Sequence, residues 1–268
     1  MIQKKNYRHR LTTGYWEMIL SSEKPVQKAS PATAACIDSF STVTDISRFV
    51  VEGAAATCSL SIDCFASDLA RFLMEQIAEK PVKVTEGSLP DSFYQASLEL
   101  AEKEGFTKRT DGDRDILCIN IKQMINIMRE AELLEDRGGK THAVSIDISD
   151  NALYFRLINS FWNFVPWENI FPSDEEAARE LYQERFMLRD MLLGQNDFVS
   201  VDDFTNDFFE MTGFAERNNL VLISFVDFYL YSWLKHFNML RYKKSKGRAP
   251  VAFILTEEGR RLLASCDN

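Results

Sequence analysis

The stretch from Asn219 to the C-terminus constrains the fold more than any other part of the chain. An apolar helical pattern runs from Asn219 to Phe237 and ends at Met239-Leu240. The basic stretch Arg241-Tyr-Lys-Lys-Ser-Lys-Gly-Arg248 follows, then the strand-like Val251-Ala-Phe-Ile-Leu255, then Thr256-Glu-Glu-Gly-Arg-Arg-Leu-Leu263, whose threonine is placed to cap a helix. Helix, cationic hairpin, strand and capped helix therefore succeed one another with little spare chain between them.

The same succession occurs earlier. An apolar helical pattern closes at Leu133-Leu134, and Leu133 to His142 is a turn-rich hairpin with Gly138-Gly139 at its tip. Ala143-Val-Ser-Ile-Asp-Ile148 alternates as a returning strand should, and Ser149-Asp150 caps a helix carrying Leu153, Leu157 and Ile158. Leu134 to Ile148 is 14 positions and Leu240 to Leu255 is 15. Such nearly equal spacing predicts one module folded twice, joined by the aromatic segment Phe161 to Phe171.

Residues 1–15 read as a polar tail, Ser21 to Pro31 as turns, and Asp45 to Val51 as a helix turn in preference to a strand. Ser67 or Asp68 is positioned to cap a helix through Glu79, which Pro81 stops. After extended chain to Pro90, Asp91 is placed to cap a helix through Glu104, closed by Gly105. Ile116 to Ile119 reads as a short strand, and Asn120 as the cap of a helix bearing Ile121, Met124, Ile125 and Met128. A long helix is expected from near Ser173 through Leu193, and a shorter one over Val201 to Met211. The expected fold is mainly α with small β-hairpins: a helical N-terminal region with its tail (1–80), a first module plus aromatic linker helix (81–170), and a second module (171–268).

Composition of 46 % apolar and 26 % charged residues places the chain among soluble globular proteins. No apolar run approaches the ~20 residues of a membrane span, so no membrane partner is expected. Five cysteines without a CxxC pair suggest free thiols in a reducing cytoplasm. His9, His142 and His236 have no metal-ligand spacing, and no phosphate loop, nucleophile elbow or HExxH is present, so no metal, cofactor or catalytic residue is expected. Asp111-Gly-Asp-Arg-Asp115 resembles a calcium loop only in its opening, because Lys122 stands where a bidentate glutamate belongs.

The terminal succession resembles the end of a winged helix-turn-helix domain, in which the hairpin is the wing. Thr85, Gly87 and Leu89-Pro90, the helix to Leu134, the hairpin, and Leu153 to Trp162 with Trp167 also resemble, across about 81–265, a bacterial arrangement associated with plasmid ORF-3-like proteins. The winged-helix resemblance implies contact with DNA or with protein. Lys235, Arg241, Lys243, Lys244, Lys246 and Arg248 are the candidate phosphate contacts of the second wing. A net charge of −9 opposes indiscriminate binding, yet an acidic protein can still present one cationic ribbon. The helix before the second wing is apolar nearly all round and is expected to be buried. Its counterpart offers Lys122, Gln123, Asn126 and Arg129, residue types that suit base and phosphate contacts and equally suit an ordinary exposed face. The leading expectation is a non-enzymatic, DNA-associated regulator or accessory factor. The rival is a protein-interaction scaffold that uses the modules and the aromatic belt to hold a partner or a second copy.

Overall fold

The computed structural model describes residues 64–85, 87–110, 112–144, 146–170, 175–214, 226–244 and 250–265. The polar tail and the helix turn expected over Asp45 to Val51 lie outside them. The described chain is mainly helical, with two small antiparallel sheets.

Helix α1 (Phe65–Glu79) buries Leu69, Leu73, Met74 and Ile77. It starts before the expected cap, because Phe65 and Ala66 are drawn into the core and Ser67 is buried as a helical residue. Strand β1 (Val82–Lys83) leads to α2 (Asp91–Lys103), whose N-cap is Pro90 and not the expected Asp91, and Gly105 then turns the chain at φ 84°. Helix α3 (Arg114–Glu130) begins at Asp113, whose carboxylate accepts the N–H groups of Asp115 and Ile116. This overturns the strand expected over Ile116 to Ile119 and the cap expected at Asn120. Both segments lie inside one helix that buries Leu117, Cys118, Ile119, Asn120 and Ile121 in succession, so that stretch carries no period that would separate helix from strand.

The first hairpin also differs from expectation. Strands β2 (Leu134–Arg137) and β3 (Lys140–Ala143) are joined by Gly138 and Gly139, at φ 61° and 72°. Two successive positive-φ residues close the hairpin in two residues, so Arg137 pairs with Lys140 and the ladder ends at Ala143. The returning strand expected over Ala143 to Ile148 is therefore largely a linker. It leads into α4 (Asp150–Asn159), a π turn (Ser160–Phe164) and α5 (Trp167–Ile170).

In the second half, the long helix expected to Leu193 breaks at Glu184 into α6 (Glu175–Gln183) and α7 (Arg185–Gly194). Strand β4 (Val199–Ser200) and α8 (Val201–Thr212) follow, with the Ser200 hydroxyl capping α8. A π turn (Val226–Leu230) runs into α9 (Tyr231–His236), then β5 (Leu240–Lys244), β6 (Pro250–Leu255) and α10 (Glu257–Ser265).

The two halves repeat one another down to single hydrogen bonds. Each sheet places the hairpin's returning strand in the middle, in the orders β1-β3-β2 and β4-β6-β5. Glu132 and Asn238, the non-glycine residues with positive φ among those described, lie two positions before β2 and β5. Each turns its helix end the same way. Leu133 N–H reaches Met128 O and Met239 N–H reaches Leu234 O, while Glu132 N–H bonds Arg129 O and Asn238 N–H bonds Lys235 O. Ser149 and Thr256 then cap α4 and α10 through the N–H of Ala152 and of Gly259. Helix α1 packs on β3, α3 and α4, and to a lesser extent on α9.

Two substitutions test this construction. A glycine-to-alanine change inside a helix usually stabilises by about 1 kcal/mol. A Cβ on Gly259, however, would lie 2.6 Å from Met239 O and 2.8 Å from Met239 Cα, both backbone. Gly259→Ala is expected to destabilise instead, by about 1–3 kcal/mol in urea unfolding. Glu132→Gly is expected to raise stability by up to about 1 kcal/mol, because it relieves the left-handed conformation at an exposed site.

Candidate nucleic-acid interface

The helices that precede the two hairpins face each other across the joint between the modules. Gln123 of α3 is 5 % exposed. Its Oε1 accepts from Trp233 Nε1 of α9 at 2.8 Å, and its Nε2 donates to Ile170 O at 3.0 Å. Asn120 Nδ2 donates to His236 Nε2 at 3.2 Å. At the C-terminal end of α9, where carbonyls run out of intrahelical donors, first-module side chains supply them. Cys64 Sγ donates to His236 O at 3.2 Å, and Tyr154 Oη donates to Phe237 O at 2.7 Å. Phe161 packs on Trp233 and Phe237, with ring centroids 6.2 and 5.5 Å apart.

This arrangement corrects part of the expected site. Gln123 is an internal brace and meets no solvent. Asn126 donates to Asn169 O at 3.2 Å, in support of α5. The Arg129 side chain is 17 % exposed, with Nη2 3.6 Å from Asp136 Oδ2. Lys122, half-buried like Asn126 and Arg129, has its Nζ 5.4 Å from the Tyr94 ring centre. The described part of the helix before the second hairpin is largely buried, as its composition predicts: Val226, Tyr229, Leu230, Tyr231, Trp233, Leu234 and His236 are all in the core. In the aromatic belt (Phe155, Phe161, Trp162, Phe164, Trp167 and Phe171), Phe155, Phe161, Trp162 and Trp167 are buried and offer a partner no surface, Phe164 is half-buried, and Phe171 lies outside the described residues.

The second hairpin is open. Leu240, Phe253 and Leu255 point into the core, and the alternate positions Arg241 and Lys243 are exposed on the opposite face. Arg241 pairs with Ile254, and its guanidinium reaches across the sheet to lie 5.7 Å from the ring centre of Phe198, just before β4. Phe198 is 43 % exposed. Sequence reading misses this ring, because it lies far from the basic stretch and only the β4–β6 pairing brings the two together. Lys235 Nζ sits 6.0 Å from the Tyr242 ring centre. Lys244 ends β5, and Lys246 and Arg248 lie outside the described residues.

Between the modules Phe161, Trp167, Ile170, Tyr229, Leu230 and Trp233 close on one another around a cavity of about 0 Å³. That seam has no room for a ligand, whose pockets begin at ~300 Å³. Among the described residues no three His, Cys, Asp or Glu side chains are grouped to hold a metal ion, and no helix is long and apolar enough to cross a membrane.

His236 gives the joint a pH signature. Burial, then the nearby Lys235 and Arg109 charges, lower its imidazole from 6.5 to about 3. The folded chain therefore holds the ring neutral while the unfolded chain protonates it below pH 6.5. Its contribution to stability is complete above that pH and falls, as pH drops towards 3, by about 1.4 kcal/mol per unit. Urea unfolding on both sides of pH 6.5 should show this slope. His236→Gln should abolish it while lowering stability at neutral pH.

No protein-family model, curated protein or solved structure matches this chain, which leaves its own geometry as the ground for a functional reading.

Proposed function

We propose that the chain is a tandem of two winged-helix modules, a non-enzymatic protein that contacts nucleic-acid backbone through its second hairpin without reading base edges. The winged-helix reading is supported by the order helix, strand, helix, helix, hairpin, with the returning strand central in each sheet, occurring twice. The observation that carries the backbone contact is the outer face of β4-β6-β5. Arg241 and Lys243 are exposed there beside Phe198, and they lead into a loop whose sequence adds Lys246 and Arg248.

Major-groove readout needs donors and acceptors free on the helix ahead of the wing. Gln123 and Asn126 are engaged inside the protein, and the described residues of α9 are mostly core. What remains is electrostatic contact to phosphates, which positions a protein without specifying sequence. Arg241 over Phe198 also suits stacking against an unpaired base.

For the rival scaffold reading, the buried rings Phe155, Phe161, Trp162 and Trp167 offer no contact surface. The observations that favour it are the net charge of −9 and the exposed Met211 and Phe186, the latter lying under Arg185 and Arg189 at 4.3 and 5.2 Å.

A mobility-shift titration across salt concentrations separates the two. Phosphate contact predicts affinity falling steeply with salt. Replacing Lys243, Lys244 and Lys246 by alanine should then reduce the slope of log K against log salt by about 0.9 for each phosphate no longer neutralised. Absence of a shift by the unmodified protein at low salt rejects the nucleic-acid reading and favours the scaffold.

A further inference from the structure

We propose that the first module carries a second phosphate-backbone contact, a row of three cations formed by Lys83, Lys140 and Arg137. In the β1-β3-β2 sheet Lys83 pairs directly with Lys140, and Lys140 pairs directly with Arg137. Directly opposed residues of an antiparallel sheet project to the same face, and the burial of Thr141 shows that this face is the outer one. All three side chains are exposed.

Like charges set directly opposite each other destabilise a sheet. Lys83 and Arg137 on the edge strands β1 and β2 would be explained by protection against edge-to-edge pairing, but Lys140 lies on the central strand, where that explanation fails. Nor does local neutralisation account for the row. Glu135 approaches Arg137 at 3.5 Å, while neither Lys83 nor Lys140 has an acidic partner among the described residues. The platform is held in place from below. Gly138 and Gly139 close the ribbon between Arg137 and Lys140, and Val84 N–H donates to Gly139 O at 3.0 Å, tying β1 to the turn. An unfavourable charge arrangement kept on a braced ribbon is suited to an anion supplied from outside.

The shape of the row selects the class of anion. Three strands place the cations along a line of ~10 Å, which a single compact phosphate cannot span. One nucleic-acid strand rises ~3.4 Å per nucleotide and offers a charge at each step, so about three nucleotides run along the row. A membrane-docking face would add apolar side chains to its cations, whereas the next pair on this face is Glu135 and His142.

The inference rests on the reading that this chain contacts phosphate backbone, and it adds a surface in the other module. The full chain is titrated with a fluorescent mixed-sequence duplex across salt concentrations, alongside a Lys83→Gln/Lys140→Gln/Arg137→Gln variant and an Arg241→Gln/Lys243→Gln variant. The first variant should fold with unchanged or raised Tm, because it removes cross-strand repulsion, and should lower the salt slope by roughly 2–3. Glu135→Gln should tighten binding. A wild-type shift that is insensitive to the triple variant, but sensitive to the second, overturns this inference and leaves the proposed function standing. The reverse pattern supports the row and rejects the second hairpin. No wild-type shift removes both. Equal, row-dependent binding to phosphatidylserine vesicles overturns the nucleic-acid assignment in favour of a lipid surface.

Discussion

The structure depends on the satisfied end of helix α9. A helix that stops inside a protein leaves carbonyl groups without donors, at about 1–3 kcal/mol each when they are buried and unpaired. Here His236 O takes the Cys64 thiol and Phe237 O takes the Tyr154 hydroxyl, both from the first module. The neutral His236 ring accepts from Asn120 and stacks on Phe65 at 4.3 Å, so the polar contacts are enclosed by the aromatic ones. This joint turns both pre-hairpin helices inward. With α3 and α9 engaged on each other, Arg137, Lys140, Arg241 and Lys243 stay exposed on the hairpins that follow.

The repeat conserves backbone devices and exchanges side chains. Glutamate occupies one left-handed helix stop and asparagine the other, serine caps one following helix and threonine the other. The near-equal spacing that reveals the duplication has a cause the sequence conceals. In the first module a two-residue turn is followed by the linker Val144 to Ile148. In the second, more residues separate β5 from β6, and β6 runs straight to Thr256, whose N–H bonds Met239 O just as Val144 N–H bonds Leu133 O. Chain gained in one loop is offset by chain absent from the next.

Legibility follows the range of the forces involved. Ser149 and Thr256 are readable as caps because a hydroxyl three residues ahead of an amide is local chemistry. The α3 segment reads wrongly at Ile116 to Ile119 because a helix buried on several sides loses its polar face. Gln123 and Asn126 resemble a nucleic-acid face for a related reason. An exposed amide and one that braces an internal joint are the same residue in the sequence, and only the arrival of Trp233 and α5 distinguishes them.

By itself the sequence determined the stops at Pro81 and Gly105, the turn at Gly138-Gly139, that a helix-hairpin succession recurs, and that the helix before the basic stretch is too apolar to face water. These follow from neighbours within a few positions, acting through caps, glycine conformations and hydrophobic period. Tertiary structure alone decided that α3 and α9 meet, that Phe198 lies beneath Arg241, and that Lys83 joins Lys140 and Arg137 in one row. Cross-strand register and inter-module packing set those placements. They depend on contacts between residues remote in the chain, which leave no local pattern to be read.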